Sequence, residues 1–167
     1  MDFLLRKSGG PFGLFAKDYE LLHNESVCCV LSFDDWKYVE FSIDANRYVI
    51  RSDGKARWVL ERSGINVACC KRHASGPQLE FSIDFDDRVW CFKPCRKKLV
   101  LVHDIWEEKL KIGRITPRIR FWWSEVGATF KQVPRLEVAG FAVWLIGIHW
   151  VGVAGKLTAA RAEIGIR

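Results

Sequence analysis

The sequence predicts a mainly β fold: a closed antiparallel β-barrel of about ten to twelve strands around a central hydrophobic C-terminal α-helix. Three observations predict it. Short segments rich in Val, Ile, Phe, Trp and Tyr recur from about Ser26 to Ser124, with turn-forming residues between them. Several of these segments alternate apolar and polar side chains, which is the period of a half-buried strand. Near the C-terminus lies an uncharged stretch, residues 138–155, on which no polar stripe can be drawn.

The predicted strands are Ser26–Phe33, Lys37–Ile43, Arg47–Arg51, Ala56–Glu61, Asn66–Cys70, Gln78–Asp84, Arg88–Phe92, Lys98–His103, Lys109–Ile115 and Arg120–Ser124. Asp34-Asp35, Asp44-Ala45-Asn46, Ser52-Asp53-Gly54, Ser63-Gly64, Ser75-Gly76-Pro77 and Asp86-Asp87 punctuate them with residues suited to turns. Val39, Phe41 and Ile43 share one face, against Glu40 and Ser42; Leu79, Phe81 and Ile83 repeat this against Glu80 and Ser82. Strands at such intervals indicate a sandwich or barrel rather than a βαβ fold.

The uncharged stretch fits two settings. A membrane span needs about 20 apolar residues, with roughly 17 sufficient, so residues 138–155 offer a marginal transmembrane helix carrying a cytoplasmic β-domain. The preferred setting is the interior of the barrel itself. A closed sheet of this many strands encloses more space than its own side chains fill, and a helix apolar all round fills it. Phe141, Trp144, Leu145 and Ile148 are the expected packing residues of that helix. Gly140, Gly147 and Gly152 would let another backbone come close. The chain then forms one domain over 1–167: an N-terminal segment (1–25), strands (26–131), the central helix (136–154) and a tail (156–167).

Composition is that of a globular protein, with 49% hydrophobic and 28% charged residues among 167, which excludes a disordered chain. Met1 to Leu5 is followed at once by Arg6-Lys7, so no secretory leader is expected and the six cysteines are expected as free thiols in the cytoplasm. Cys28-Cys29 and Cys69-Cys70 are neighbours whose side chains point to opposite faces of a strand. Cys91 and Cys95 flank Lys93-Pro94, where a loop could bring them together, but no second pair completes a zinc site. No metal or cofactor is expected.

Residues 93–120 hold nine cations against three acids, an excess equal to the net charge of +6 on the whole chain. Lys97, Lys98, Lys109, Lys111, Arg114, Arg118 and Arg120 are therefore candidate contacts for an anionic partner. The plainer account is a solvated strand face. Trp122 and Trp123, adjacent in a predicted strand, offer one outward indole as a membrane-interface anchor; the alternative is a covered exterior. His149 in the apolar stretch is expected to be neutral, with one internal hydrogen bond. No Ser-His-Asp set, phosphate loop or HExxH helix is present, and no enzyme activity is expected.

Gly113-Arg114-Ile115-Thr116-Pro117-Arg118 before an aromatic strand, then Val133-Pro134, Phe141-x-x-Trp144-Leu145 and Trp150, is similar to the ending of small bacterial tubby-like proteins. Phe41-Ser42-Ile43-Asp44, Trp58-Val59-Leu60-Glu61 and Val67-Ala68-Cys69-Cys70 look like successive strands of the same family. Over residues 12–152 the chain resembles the tubby C-terminal superfamily, which includes the LURP-one-related proteins and the phospholipid scramblases. The resemblance implies a barrel around a hydrophobic helix. It also implies a binding role toward anionic phospholipid or a protein partner at the cytoplasmic membrane face, in preference to nucleic acid. The phosphoinositide site of eukaryotic tubby proteins has no residue-by-residue counterpart here, and the scramblases' acidic calcium segment and Cys-rich stretch are missing.

Overall fold

The computed structural model describes residues 2–8, 18–35, 37–54, 56–73, 80–97, 100–120, 123–132 and 135–147. Twelve strands follow in order: β1 (Asp2–Lys7), β2 (Asp18–His23), β3 (Ser26–Asp35), β4 (Tyr38–Ile43), β5 (Asn46–Ser52), β6 (Arg57–Arg62), β7 (Ile65–His73), β8 (Glu80–Phe85), β9 (Arg88–Lys97), β10 (Val100–Glu107), β11 (Leu110–Arg120) and β12 (Trp123–Phe130). Each pairs antiparallel with its sequence neighbour, and β1 pairs with β12, so the sheet closes into a barrel. Among the described residues one helix, α1, occupies 136–147.

Tight turns set the register. Both residues of Asn24-Glu25, Asp44-Ala45, Ser63-Gly64 and Asp86-Asp87 have positive φ. That is the handedness that two-residue hairpins need to match the right-handed twist of their strands.

The predicted alternation holds. Val39, Phe41 and Ile43 are buried while Ser42 is exposed, and Phe41 stacks on its register partner Tyr48 with ring centroids 5.4 Å apart. Phe81, Ile83 and Phe85 point into the same core. The adjacent cysteines split as expected: Cys29 and Cys70 are buried in the core, Cys28 and Cys69 half-buried on the other face.

The lumen contains α1. Val138, Ala139, Phe141, Ala142, Val143, Trp144, Leu145 and Ile146 are each at most 2% exposed and belong to one core with inward residues of the wall. Gly140 and Gly147 lie where the helix meets that wall. A β-carbon at 140 would stand 2.9 Å from Leu21 Cδ2 on β2, and one at 147 would stand 3.3 Å from Leu5 Cδ2 on β1. Aromatic rings from different strands converge beside the start of the helix. Phe130 meets Phe3 at 5.6 Å and Trp90 at 5.5 Å between centroids, and Trp90 meets Phe85 edge-on at 4.7 Å.

Four sequence expectations change. Residues 1–25 supply β1 and β2, without which the barrel would not close. The predicted strand Arg120–Ser124 is divided between two strands: β11 runs on through Pro117 to Arg120, and β12 begins at Trp123, in register with Arg120. Cys91 and Cys95 both lie on β9, with no loop between them. Four residues at about 3.3 Å per residue place them roughly 13 Å apart along the strand, too far to share a metal.

The fourth concerns the membrane-spanning alternative. Residues 138–146 of that stretch are buried inside the barrel, in one core with its wall. Among the described residues no helix is long and apolar enough to cross a membrane. Ile148, His149, Gly152 and the rest of the expected helix to 154 lie outside the described residues, as does the tail.

Candidate functional site

An up-and-down meander sends alternate connections to opposite ends of the barrel. At one end, the turn end, lie the β2–β3, β4–β5, β6–β7, β8–β9 and β10–β11 turns and the start of α1. At the other end β1, β3, β5, β7, β9 and β11 finish.

This topology divides the basic run that the sequence presents as continuous. Lys97 ends β9 and Arg118 and Arg120 end β11, all at the second end. Lys109 sits in the exposed β10–β11 turn at the turn end. The eight residues of β10 between them span roughly 25 Å. Lys98 and Trp122 lie outside the described residues. Trp123 opens β12 at the second end, paired with Arg120.

Lys111 and Arg114 are already engaged. Lys111 Nζ and Arg114 Nε each lie 2.7 Å from Asp104 Oδ1 on the barrel exterior. Burial works to raise the Asp104 pKa, but the hydrogen bonds and charges of Arg114 and Lys111 outweigh it and hold the carboxyl below the usual aspartate value. These two cations are wall residues with a structural partner.

Cross-strand pairs neutralise much of the rest of the wall. Arg6 meets Glu20 at 2.8 Å, Arg51 meets Glu61 at 2.6 Å, Lys71 meets Asp84 at 3.5 Å, and Arg88 pairs with Glu107. The Arg88 hydrogen bond keeps the Glu107 pKa below its ordinary value against the opposing effect of burial.

The second end gains cations that the linear run did not include. β7 finishes in Lys71-Arg72-His73, and β9 carries Lys93 and Arg96 ahead of Lys97. Arg72 and Lys93 are exposed, and His73 Nε2 lies 3.1 Å from Ser82 Oγ. β7, β9 and β11 are alternate strands of one sector, so Arg72, Arg96, Lys97, Arg118 and Arg120 lie near the ends of strands along one arc of the rim, while Lys71 is paired with Asp84 and Lys93 lies mid-strand beside Asp104. Only the meander order could have revealed this, because Arg72 is remote from the 93–120 run in sequence.

The lumen core, Phe141, Trp144 and Leu145 included, is packed around α1. An open groove of about 630 Å³ lies over β1 and β2 at the turn end, lined by Asp2, Phe3, Leu4, Arg6, Leu22, Asn24 and Glu25. Among the described residues no three His, Cys, Asp or Glu side chains come together as metal ligands. Compared with known proteins, the chain matches no family model, no curated protein and no solved structure.

Proposed function

We propose that this chain is a tubby-like binding domain without catalytic activity, which docks basic end first on an anionic phospholipid surface at the cytoplasmic membrane face. One observation carries the reading: the terminal cations of β7, β9 and β11 fall on a single arc of the barrel rim. The helix-filled barrel matches the architecture that the family resemblance implies. With the lumen occupied and the wall charges largely paired, the ends are the surfaces left for a partner.

Each Lys or Arg near an anionic membrane contributes about 1 kcal/mol, so an arc of this size supports reversible, salt-sensitive attachment. Trp123 opens a strand at the same end, where an indole suits the lipid–water boundary.

Co-sedimentation with vesicles tests the proposal. Phosphatidylcholine vesicles doped with phosphatidylserine should pull the chain down at low salt, and pure phosphatidylcholine vesicles should not. The triple variant Arg72→Gln/Lys97→Gln/Arg118→Gln should lose this binding, while Lys109→Gln at the opposite end should keep it. Equal binding to both vesicle types, insensitivity to salt, or loss in Lys109→Gln matching that of the triple variant would overturn the proposal.

A further inference from the structure

The basic end of the barrel also holds a side chain whose charge depends on pH. Of the four histidines in the chain, His23 is half-buried at the turn end, stacked on Phe3, and His103 is fully buried. His149 lies outside the described residues. His73 is the last residue of β7, exposed and directly after Arg72, at the strand end that contributes to the basic arc.

The surroundings of His73 hold both signs of charge. On its own strand stand Arg72 and Lys71, the latter paired with Asp84 at 3.5 Å. From β8 come Glu80, its register partner, and Ser82, whose Oγ lies 3.1 Å from His73 Nε2. On the other side β6 brings Arg57, the register partner of Lys71. That guanidinium is turned to Cys69 Sγ, 3.0 Å from Nε, and to Asp53 at 3.5 Å. One strand beyond β8, β9 carries Lys93, in register with Asp104. Residues 74–79, which join β7 to β8, contain no ionisable side chain. A hydroxyl both donates and accepts, so Ser82 serves the imidazole in either protonation state. Protonation therefore adds a positive charge to the rim without breaking that contact.

Histidine is the side chain that ordinarily changes charge between pH 5 and 8. We infer, building on the lipid-binding reading of this end, that His73 makes it acid-responsive: the protonated ring joins the arc of cations and tightens attachment to an anionic phospholipid surface as pH falls. One added cation near such a surface strengthens binding about fivefold.

Co-sedimentation with phosphatidylcholine vesicles doped with phosphatidylserine, at about pH 7.5 and about pH 5.5 and constant low salt, tests this. The lipid keeps its net negative charge over that range. The wild-type chain should bind about fivefold more tightly at the lower pH. His73→Gln, which keeps a hydrogen-bonding group beside Ser82, should lose that gain and bind at both pH values as the wild type does at the higher one. His73→Arg should bind at the higher pH as tightly as the wild type at the lower, with little further response to acid. Equal wild-type affinity at the two pH values, or a gain that survives in His73→Gln, would overturn the inference and leave lipid binding in place. No sedimentation with these vesicles at either pH would overturn the lipid reading itself, and this inference with it.

Discussion

Gly147, in the last described turn of the central helix, faces Leu5 of the first strand so closely that a β-carbon would stand 3.3 Å from Leu5 Cδ2 and 3.6 Å from Val126 Cγ2. The central helix is thereby packed against both the first and the last strand. Gly147→Leu should overpack this contact and destabilise the fold by about 1–3 kcal/mol, read as a lower urea midpoint. A silent substitution would mean that the helix is not enclosed. Gly140→Ala should be much milder. Its new methyl meets only the flexible tip of Leu21, and alanine's helix propensity offsets the crowding by about 1 kcal/mol.

The start of the helix is tied to the β8–β9 turn. Arg135 reaches Asp86 Oδ2 at 2.6 Å and donates through Nε to Glu137 Oε1 at 2.8 Å. Asp86 is half exposed, so Asp86→Ala should cost no more than about 1 kcal/mol. Arg135→Ala should cost more, about 1–3 kcal/mol, because it leaves the buried Glu137 carboxylate without that partner. Equal losses in the two variants, measured by thermal denaturation, would contradict this asymmetry.

Acid should loosen the wall. The Asp104 and Glu107 carboxyls both have folded pKa values below their ordinary ones, so their pairs contribute stability above the unfolded values of about 3.9 and 4.3. That contribution is lost as pH falls through the lower folded values. Denaturation midpoints should stay level from about pH 7 to pH 5 and then drop below about pH 4. The double variant Asp104→Asn/Glu107→Gln should be less stable at neutral pH and show a shallower acid drop. An identical drop would mean that these pairs do not carry it.

The thiols should divide by face. Burial pushes Cys29 up to about 12 and Cys70 higher still, and both lie in the core. Maleimide labelling followed by mass spectrometry should modify Cys69, Cys91 and Cys95 in the native protein first, since all three are half-buried on the outer face. Cys29 and Cys70 should react only on unfolding. Early labelling of either would contradict the inward placement of β3 and β7.

The strands most legible in the sequence are those with clean alternation, such as Val39-Phe41-Ile43. β2 was hidden by a bulge. Leu21 and Leu22 are adjacent and both buried, because the register shifts between them where β2 pairs with β3. An apolar pair of that kind looks like neither period. The wholly apolar run before His149 was legible because a helix without a polar stripe has to be surrounded. The binding surface was only half legible. Lys97 and Lys109 belong to the same basic run, yet the length of β10 separates their ends of the barrel, and Arg72 joins Lys97 only through the order of the strands. Lys111 and Arg114 looked available because their partner Asp104 lies in the preceding strand, and pairing across strands cannot be read before the register is known.

Native-state hydrogen exchange tests the enclosure of the helix most directly. Amides of residues 138–146 should exchange no faster than those of the buried wall residues Ile50 and Ile83, through global unfolding alone, in plain buffer. Independent fast exchange of the helix, or protection that develops only when detergent or lipid is added, would contradict a barrel closed around its own apolar tail.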